Sequence, residues 1–594
     1  MEEIKYTLGQ ARRTEISDYQ ESNSERWANL WKRSFVDYGD DYLSNLWYLT
    51  LYYSMASQGG SYPGRFNNGL WAWSRDVQNW NFYFHWNQQQ LFWPLNAAGL
   101  PELVKPYLDF RFRSLPNAKK HAKELLKAEG AFISDVTERR GFNSVGDFHN
   151  HTPVAEIALD FWRQYQFTQD EGFLKDYVVP FMVEASRFFV TLFEKGDDGL
   201  YHAKEGTGYE GWIKLKDGLT ELVYVRALLS STIEALKVAQ RKLADTAKWK
   251  EILANLAPLP VVTTELITSD DGALTVKRGQ FRGHYVNSDK IVAAGWGIKE
   301  KKWLTTYSAS DDGKFSGFNL LDGIFPTVPS SPVFPSNLVG LGDYYTNREL
   351  FEVMKSTTLL YPPGVTGWDT VPIVMARLGL RRELAQVLAR FPERWQIYCN
   401  GWGHWGMEFE INKDAEWYFR TNQVKDGLST TRKEKFPLPM WPFRHMSMES
   451  MAVLATAMNE SLLQSHDGVL RIAPAFASDR ACRFTLHAVG GFEVSAEKIT
   501  GKVQWVSIKS EAGKDCRIEL PWEKAAIYSN KKVVKFTSSG QIATFKTTKG
   551  ERYLLLPESV KLVSVFGGYE NPVRNENAKF HSSGKVQLGL PRMF

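Results

Sequence analysis

Only three cysteines, Cys399, Cys482 and Cys516, occur in 594 residues, too few for a disulfide framework and without the paired spacing of a zinc site. No run of about 18 apolar residues is present, so no bilayer-spanning segment is expected. The amino terminus, Met1-Glu-Glu-Ile-Lys-Tyr6, lacks the apolar stretch of a secretory leader. A trimmed leader would leave the chain periplasmic or secreted, and otherwise it is cytoplasmic. The 72 basic and 67 acidic residues are interspersed, and the net charge of +5 includes no basic tract of the kind that binds nucleic acid. Membrane and nucleic acid are therefore not expected partners, and the oligomeric state is left open.

Aromatic side chains, by contrast, are abundant, with 21 Trp, 25 Tyr and 36 Phe. Their clustering is more telling than their number. In Phe82-Tyr-Phe-His-Trp-Asn-Gln-Gln-Gln-Leu-Phe-Trp-Pro94 rings alternate with His85, Asn87, Gln88, Gln89 and Gln90, whose donors and acceptors are costly to bury unpaired. Rings and hydrogen-bonding groups together suit a sugar; the competing reading is a helix with an exposed polar side.

The pattern from residue 41 to 466 is helical, with long connections rich in Gly, Pro and Trp. Helices are expected over Asp41–Ser57, from Pro153 onward, and over Glu171–Glu194, Thr220–Ala239, Arg348–Leu359, Thr370–Leu378, Arg382–Phe391 and Ser447–Gln464. Paired helices over such a length suggest a toroid of hairpins. After Asp467-Gly468, alternation takes over in Arg483-Phe-Thr-Leu-His-Ala488 and Lys502-Val-Gln-Trp-Val-Ser-Ile-Lys509, which predicts a β domain. The expected division is a lead-in over 1–40, a helical catalytic part over 41–466 and a β domain over 467–594.

Several stretches carry a family resemblance. Ser61-Tyr-Pro-Gly-Arg-Phe-Asn-Asn-Gly-Leu-Trp71, His85-Trp-Asn87, Phe92-Trp-Pro94, Asp160-Phe-Trp-Arg-Gln-Tyr-Gln-Phe-Thr-Gln-Asp170, Thr366-Gly-Trp-Asp369, Leu462-Leu-Gln-Ser-His-Asp-Gly468 and Gly490-Gly-Phe-Glu-Val494 occur in the order of landmarks in glycoside hydrolase family 95. The chain resembles the α-L-fucosidases and α-L-galactosidases of that family. The resemblance implies a mainly α fold, an (α/α)6 six-hairpin toroid followed by a C-terminal β-sandwich. It further implies an exo-acting, inverting hydrolase of an oligosaccharide or polysaccharide, with no metal and no cofactor. The family's amino-terminal β domain has no counterpart, and Met1 falls at the linker that would follow it.

Inversion needs one carboxylic acid to protonate the leaving oxygen and a second group to activate water on the opposite face. The register of the resemblance puts the general acid at Glu210, with Glu205 as the fallback, and the base at Glu449, where the family carries Asp. Asn87 matches one of two asparagines that hold the water in the family; His85 stands in place of the other. Glu221 matches an aspartate and is read either as a contact to a sugar hydroxyl or as a helix cap. Trp71, Gln89, His149, His151, Trp368, Asp369, Trp402, His404, Arg444 and His445 are the further candidates for the sugar pocket. His404 and Glu408 have the spacing of a metal pair but lack a third ligand. The family's His-Arg-His-x-Ser-His run is absent, and the matching region reads Ser310-Asp-Asp-Gly-Lys-Phe-Ser-Gly-Phe-Asn-Leu-Leu-Asp322. Fucose, galactose and other hexose or deoxyhexose specificities thus stay open. A polysaccharide lyase and a non-catalytic carbohydrate-binding protein are the rival readings from other classes.

Overall fold

The computed structural model describes all residues except 1–4, 7–8, 10–11, 65–82, 144–149, 208–213, 264–278, 282–283, 287, 300, 305–326, 361–369, 395–400, 402, 405–408, 412–416, 426–427, 434–445, 478–479, 561, 563–580, 584–585 and 589–594. The described chain is mainly helical, with a strand-rich carboxy-terminal part.

The elements that position the site are α1 (Ile16–Trp31), the short strand β1 (Phe35–Asp37), α2 (Asp41–Ser57), α3 (His85–Gln90), α4 (Pro101–Arg113), α5 (Thr152–Thr168), α6 (Val179–Val190) and α7 (Leu219–Val238). They are followed by α8 (Arg348–Leu360), α9 (Val371–Arg377), α10 (Arg381–Arg394) and α11 (Met448–Leu462). Local chemistry explains several boundaries. The Asp40 side chain accepts from Leu43 N at 3.0 Å and starts α2. Pro153 occupies the first turn of α5, where its missing N–H costs nothing, and Gln169 ends that helix in the left-handed region at φ 55°.

The helix expected over Glu171–Glu194 is interrupted. A turn over Glu171–Phe173 passes into a π-helical turn over Leu174–Val178 before α6 begins, and a strand over Phe193–Lys195 follows. Pro180 lies in the first turn of α6 and cannot donate to the preceding turn, which accounts for the local widening. A second difference lies within the part expected to be helical. Phe409–Ile411, Trp417–Lys425 and Leu428–Lys433 form a three-stranded antiparallel sheet.

At the carboxy-terminal end, β2 (Cys482–Ala488), β3 (Phe492–Ile499), β4 (Lys502–Ser510), β5 (Ala525–Ser529), β6 (Lys532–Val533) and β7 (Arg552–Pro557) belong to one seven-stranded antiparallel sheet of order β1-β2-β3-β4-β7-β5-β6. Its edge strand β1 comes from the segment expected to be a lead-in, with Val36 opposite Phe484. Strand β2 alternates strictly, burying Cys482, Phe484, Leu486 and Ala488, as a strand with one core-facing side must. Three shorter strands, Cys516–Glu519, Thr537–Ser539 and Ile542–Phe545, make a separate sheet. Apolar side chains of the helices and of these strands form one continuous core. No helix among the described residues is long and apolar enough to cross a membrane.

Helix α11 is central to this packing. It lies against α2 and α9. Its Asn459 accepts from Trp47 Nε1 of α2 at 2.8 Å, while Ser461 shares a hydrogen bond of 2.8 Å with the Tyr38 hydroxyl. These buried polar links fix the axial position of the helix whose first turn carries Glu449.

Candidate active site

All six residues of α3 are buried, which excludes a surface helix with a polar outer side. The six-residue helix instead sends its polar side chains to three neighbours, as its periodicity requires. Residues four apart share a face, whereas residues two apart point to different sides. His85 and Gln89 accordingly meet Glu156 and Asp160, themselves four apart on α5. Gln88 accepts from Arg111 Nη2 of α4 at 3.1 Å. Asn87 faces the remaining direction and donates through Nδ2 to Glu449 Oε1 at 2.8 Å.

Glu449 is fully buried in the first turn of α11. A carboxylate there is favoured by the positive end of the helix. Just before it, Met446–Ser447 pairs antiparallel with Gly403–His404, placing His404 opposite Met446. The backbone of Gly403 and His404 is therefore brought beside the start of the helix carrying Glu449.

His85 is engaged on both sides. Its Nδ1 lies 3.2 Å from Asp135 Oδ1 and its Nε2 3.5 Å from Glu156 Oε2. Burial alone would push the imidazole pKa down, but the hydrogen bonds and charges of Asp135 and Glu156 outweigh it and raise it to about 9. His85 is therefore an imidazolium at neutral pH, with both ring nitrogens directed at carboxylates. The expectation that it holds a water together with Asn87 meets a different geometry, because the two side chains leave the helix on different sides. Asp135 is itself held by Asn150, whose Nδ2 donates at 2.7 Å.

Gln89 donates to Asp160 Oδ2 at 2.7 Å, and the Tyr107 hydroxyl donates to the same oxygen at 3.0 Å. The other Asp160 oxygen accepts from Arg163 at 2.5 Å. Burial raises the Asp160 pKa above the usual carboxylate value, against the opposing pull of Arg163, Gln89 and Tyr107. The amide of Gln89, expected at the sugar pocket, is thus partly committed to this buried network.

Glu221 is 1% exposed in the first turn of α7, where it accepts from Thr220 Oγ1 at 3.0 Å. Its carboxylate occupies space left by two glycines. A Cβ on Gly218, the residue preceding α7, would lie 2.2 Å from Oε2, and one on Gly206 would lie 2.4 Å from Oε1. Glu221 stands three residues after the N-cap Gly218, the position from which a capping carboxylate reaches the helix start. The same carboxylate lies against Gly206, at the base of the loop carrying Glu210. Gly206 and Leu215 close that loop with reciprocal backbone hydrogen bonds of 2.9 and 2.7 Å. The fallback acid, Glu205, pairs with Lys214.

His151 packs its ring against Phe132 and Phe188. Glu210, Trp71, His149, Trp368, Asp369, Trp402, Arg444 and His445 lie outside the described residues, as does Glu408. Among the described residues no three His, Cys, Asp or Glu side chains gather as a metal-binding group. The sequence reading did not single out Asp135, Asn150, Glu156, Asp160 or Arg111 as site residues. The available signal was Glu156 and Asp160 at helical spacing inside an otherwise apolar segment.

With this cluster defined, two family models bear on the chain. The glycosyl hydrolase family 95 catalytic domain matches residues 7–268, and the glycoside hydrolase family 95 C-terminal domain matches residues 464–555. The chain belongs to glycoside hydrolase family 95. The catalytic-domain match includes α3, α5 and α7, whereas Glu449 lies between the two matched segments. The family assignment supports a glycoside-acting enzyme.

Individual relatives are more distant. The kojibiose hydrolase of Mucilaginibacter mallensis is 23% identical over 268 residues, covering 43% of this chain and 38% of that protein. The trehalose 6-phosphate phosphorylase of Lactococcus lactis subsp. lactis (strain IL1403) is 24% identical over 252 residues, covering 38% of this chain and 32% of that protein. Both matches thus span less than half the length of those relatives. A solved structure of a putative kojibiose phosphorylase from human microbiome shares the fold with a TM-score of 0.53 at 12% identity, covering 91% of this chain and 71% of that one.

Proposed function

We propose that this family 95 chain is an exo-acting, inverting glycoside hydrolase that removes a terminal sugar from an oligosaccharide or polysaccharide, with Glu449 as general base and Glu210 as general acid. The observation that carries the proposal is the 2.8 Å hydrogen bond from Asn87 to the buried Glu449 carboxylate. The carboxylate accepts a hydrogen bond from the Asn87 amide N–H, which orients the Asn87 carbonyl for a water donor; the second carboxylate oxygen can then receive the water's proton as it attacks. In this reading His85 acts one step back. As an imidazolium between Asp135 and Glu156 it fixes the face of α3 and thereby the direction of Asn87. The proposal includes an (α/α)6 toroid over residues 41–466, with its hairpin loops around the site, and a β-sandwich over residues 467–594. The sugar proposed first is α-L-fucose, with α-L-galactose as the neighbouring specificity.

Phosphorolysis is the second reading, because the Lactococcus relative is a phosphorylase. The local electrostatics favour water. Phosphate arrives already anionic and needs no base, and a buried carboxylate at the point of attack would repel it. A panel of aryl glycosides incubated with and without inorganic phosphate separates the two readings: phosphate-independent release of free sugar supports hydrolysis, and phosphate-dependent release overturns it.

A further inference from the structure

A cleft of about 430 Å³ opens where α8, α9 and α10 meet the strand-rich part, and residues around it include Tyr344, Tyr345, Lys355, Arg381, Ile472 and Glu519. It shares no lining residue with the cluster around α3. Its distance from that cluster follows from α11. Glu449 is in the first turn of that helix, whereas Leu463, just past its end, pairs with Ile472 at the cleft. Thirteen helical steps, from Glu449 to Leu462, separate the two by roughly 20 Å.

Tyr345 is 75% exposed, and its ring stands perpendicular to that of Tyr344 at a centroid separation of 5.1 Å. Tyr344 is in turn fixed by the Arg348 guanidinium 4.3 Å from its centroid and by an edge contact to Phe351. An exposed ring on so constrained a base is a preorganised stacking surface. Beside it, Lys355 is half-buried and has no ion-pair or hydrogen-bond partner among the described residues. Among the described residues Arg381 spends only Nε, on Pro474 O at 2.7 Å. The carboxylate of Glu519 is already paired with Arg471 at 2.9 Å. The cleft therefore presents an aromatic face and two cations with donors to spare.

We infer that this cleft is an accessory saccharide-binding site that stacks a sugar on Tyr345 and pairs an acidic substituent of the glycan with Lys355 and Arg381. Such a site would hold a polymeric glycan on the enzyme independently of the sugar bound near Glu449. The site is tested by native electrophoresis of the full chain through gels containing polygalacturonate or neutral dextran. Polygalacturonate is expected to retard the parent and dextran to leave it unretarded. Tyr345→Ala and Lys355→Met are each expected to weaken retention by about tenfold, the scale of one lost aromatic or charged contact. Lys123→Met, which removes a surface charge elsewhere, is expected to behave as the parent. Matching thermal midpoints establish that the variants are folded. Because Tyr345→Ala removes no charge, unchanged retention of that variant would reduce the effect to bulk positive charge and overturn the inference. Absence of parent retention, or equal retention by dextran, would overturn it too.

Discussion

Asn87 Nδ2 and Glu449 Oε1 lie 2.8 Å apart across 362 positions of sequence, both buried, one on a six-residue helix and the other in the first turn of α11. If Glu449 removes the water's proton, Glu449→Gln keeps the shape of the site and loses the base. Turnover is expected to fall by about a thousandfold or more while sugar affinity stays within a few-fold of the parent. Steady-state kinetics with calorimetric binding measures both.

Asn87→Ala separates positioning from basicity. It leaves the Glu449 carboxylate present but without this donor and removes the proposed hold on the water. A fall in kcat of about a hundredfold with little change in KM is expected. A rise in KM alone would place Asn87 in substrate binding instead.

His85 supplies a prediction in pH. Its folded pKa of about 9 lies above the ordinary value of 6.5. Its stabilising contribution is therefore complete below about pH 6.5 and is lost as pH rises through 9. The shift corresponds to something on the order of 3 kcal/mol. The imidazole proton resonance, assigned by its absence in His85→Asn, is expected to titrate near pH 9; titration near pH 6.5 would show that the two carboxylates do not hold the charge.

Asp160 accepts from Gln89, Tyr107 and Arg163 together. Asp160→Ala strands these donors in a buried setting, and a loss of about 3–5 kcal/mol in unfolding free energy is expected by denaturant titration. A loss below about 1 kcal/mol would mean that water replaces the carboxylate.

Gly218 and Gly199 make a paired test of the space around Glu221. A methyl group at Gly218 would come within 2.2 Å of Glu221 Oε2, whereas one at Gly199 meets nothing within 4 Å and carries only the strain of φ +84°. Gly218→Ala is expected to cost about 1–3 kcal/mol by thermal unfolding and Gly199→Ala about 1 kcal/mol.

Much of the helical frame was readable because apolar residues recur at helical spacing. The predicted span Asp41–Ser57 coincides with α2, and Thr220–Ala239 is displaced by one residue from α7. Helix α3 breaks the rule on which such reading rests. Its His, Asn and Gln side chains face inward from every side, and periodicity that equates polar with exposed cannot say which partner each one meets. Glu156 and Asp160 carried a sign in their helical spacing within an apolar segment, but that spacing alone does not name their partners. Strand β1 escaped notice because its three residues gain their register only from Arg483–Thr485, with Phe35 opposite Thr485 far along the chain. The break before α6 did have a local sign in Pro180. The pairing of Asn87 with Glu449 could be anticipated only from the order of family landmarks, since no local pattern links positions so far apart.

Hydrolysis with inversion is tested directly by proton NMR of the first-formed product from the best-cleaved glycoside. The free sugar is expected to appear first as the anomer opposite to that of the substrate, at a rate independent of phosphate. Early appearance of the retained anomer, or of a sugar phosphate formed only when phosphate is added, would contradict it.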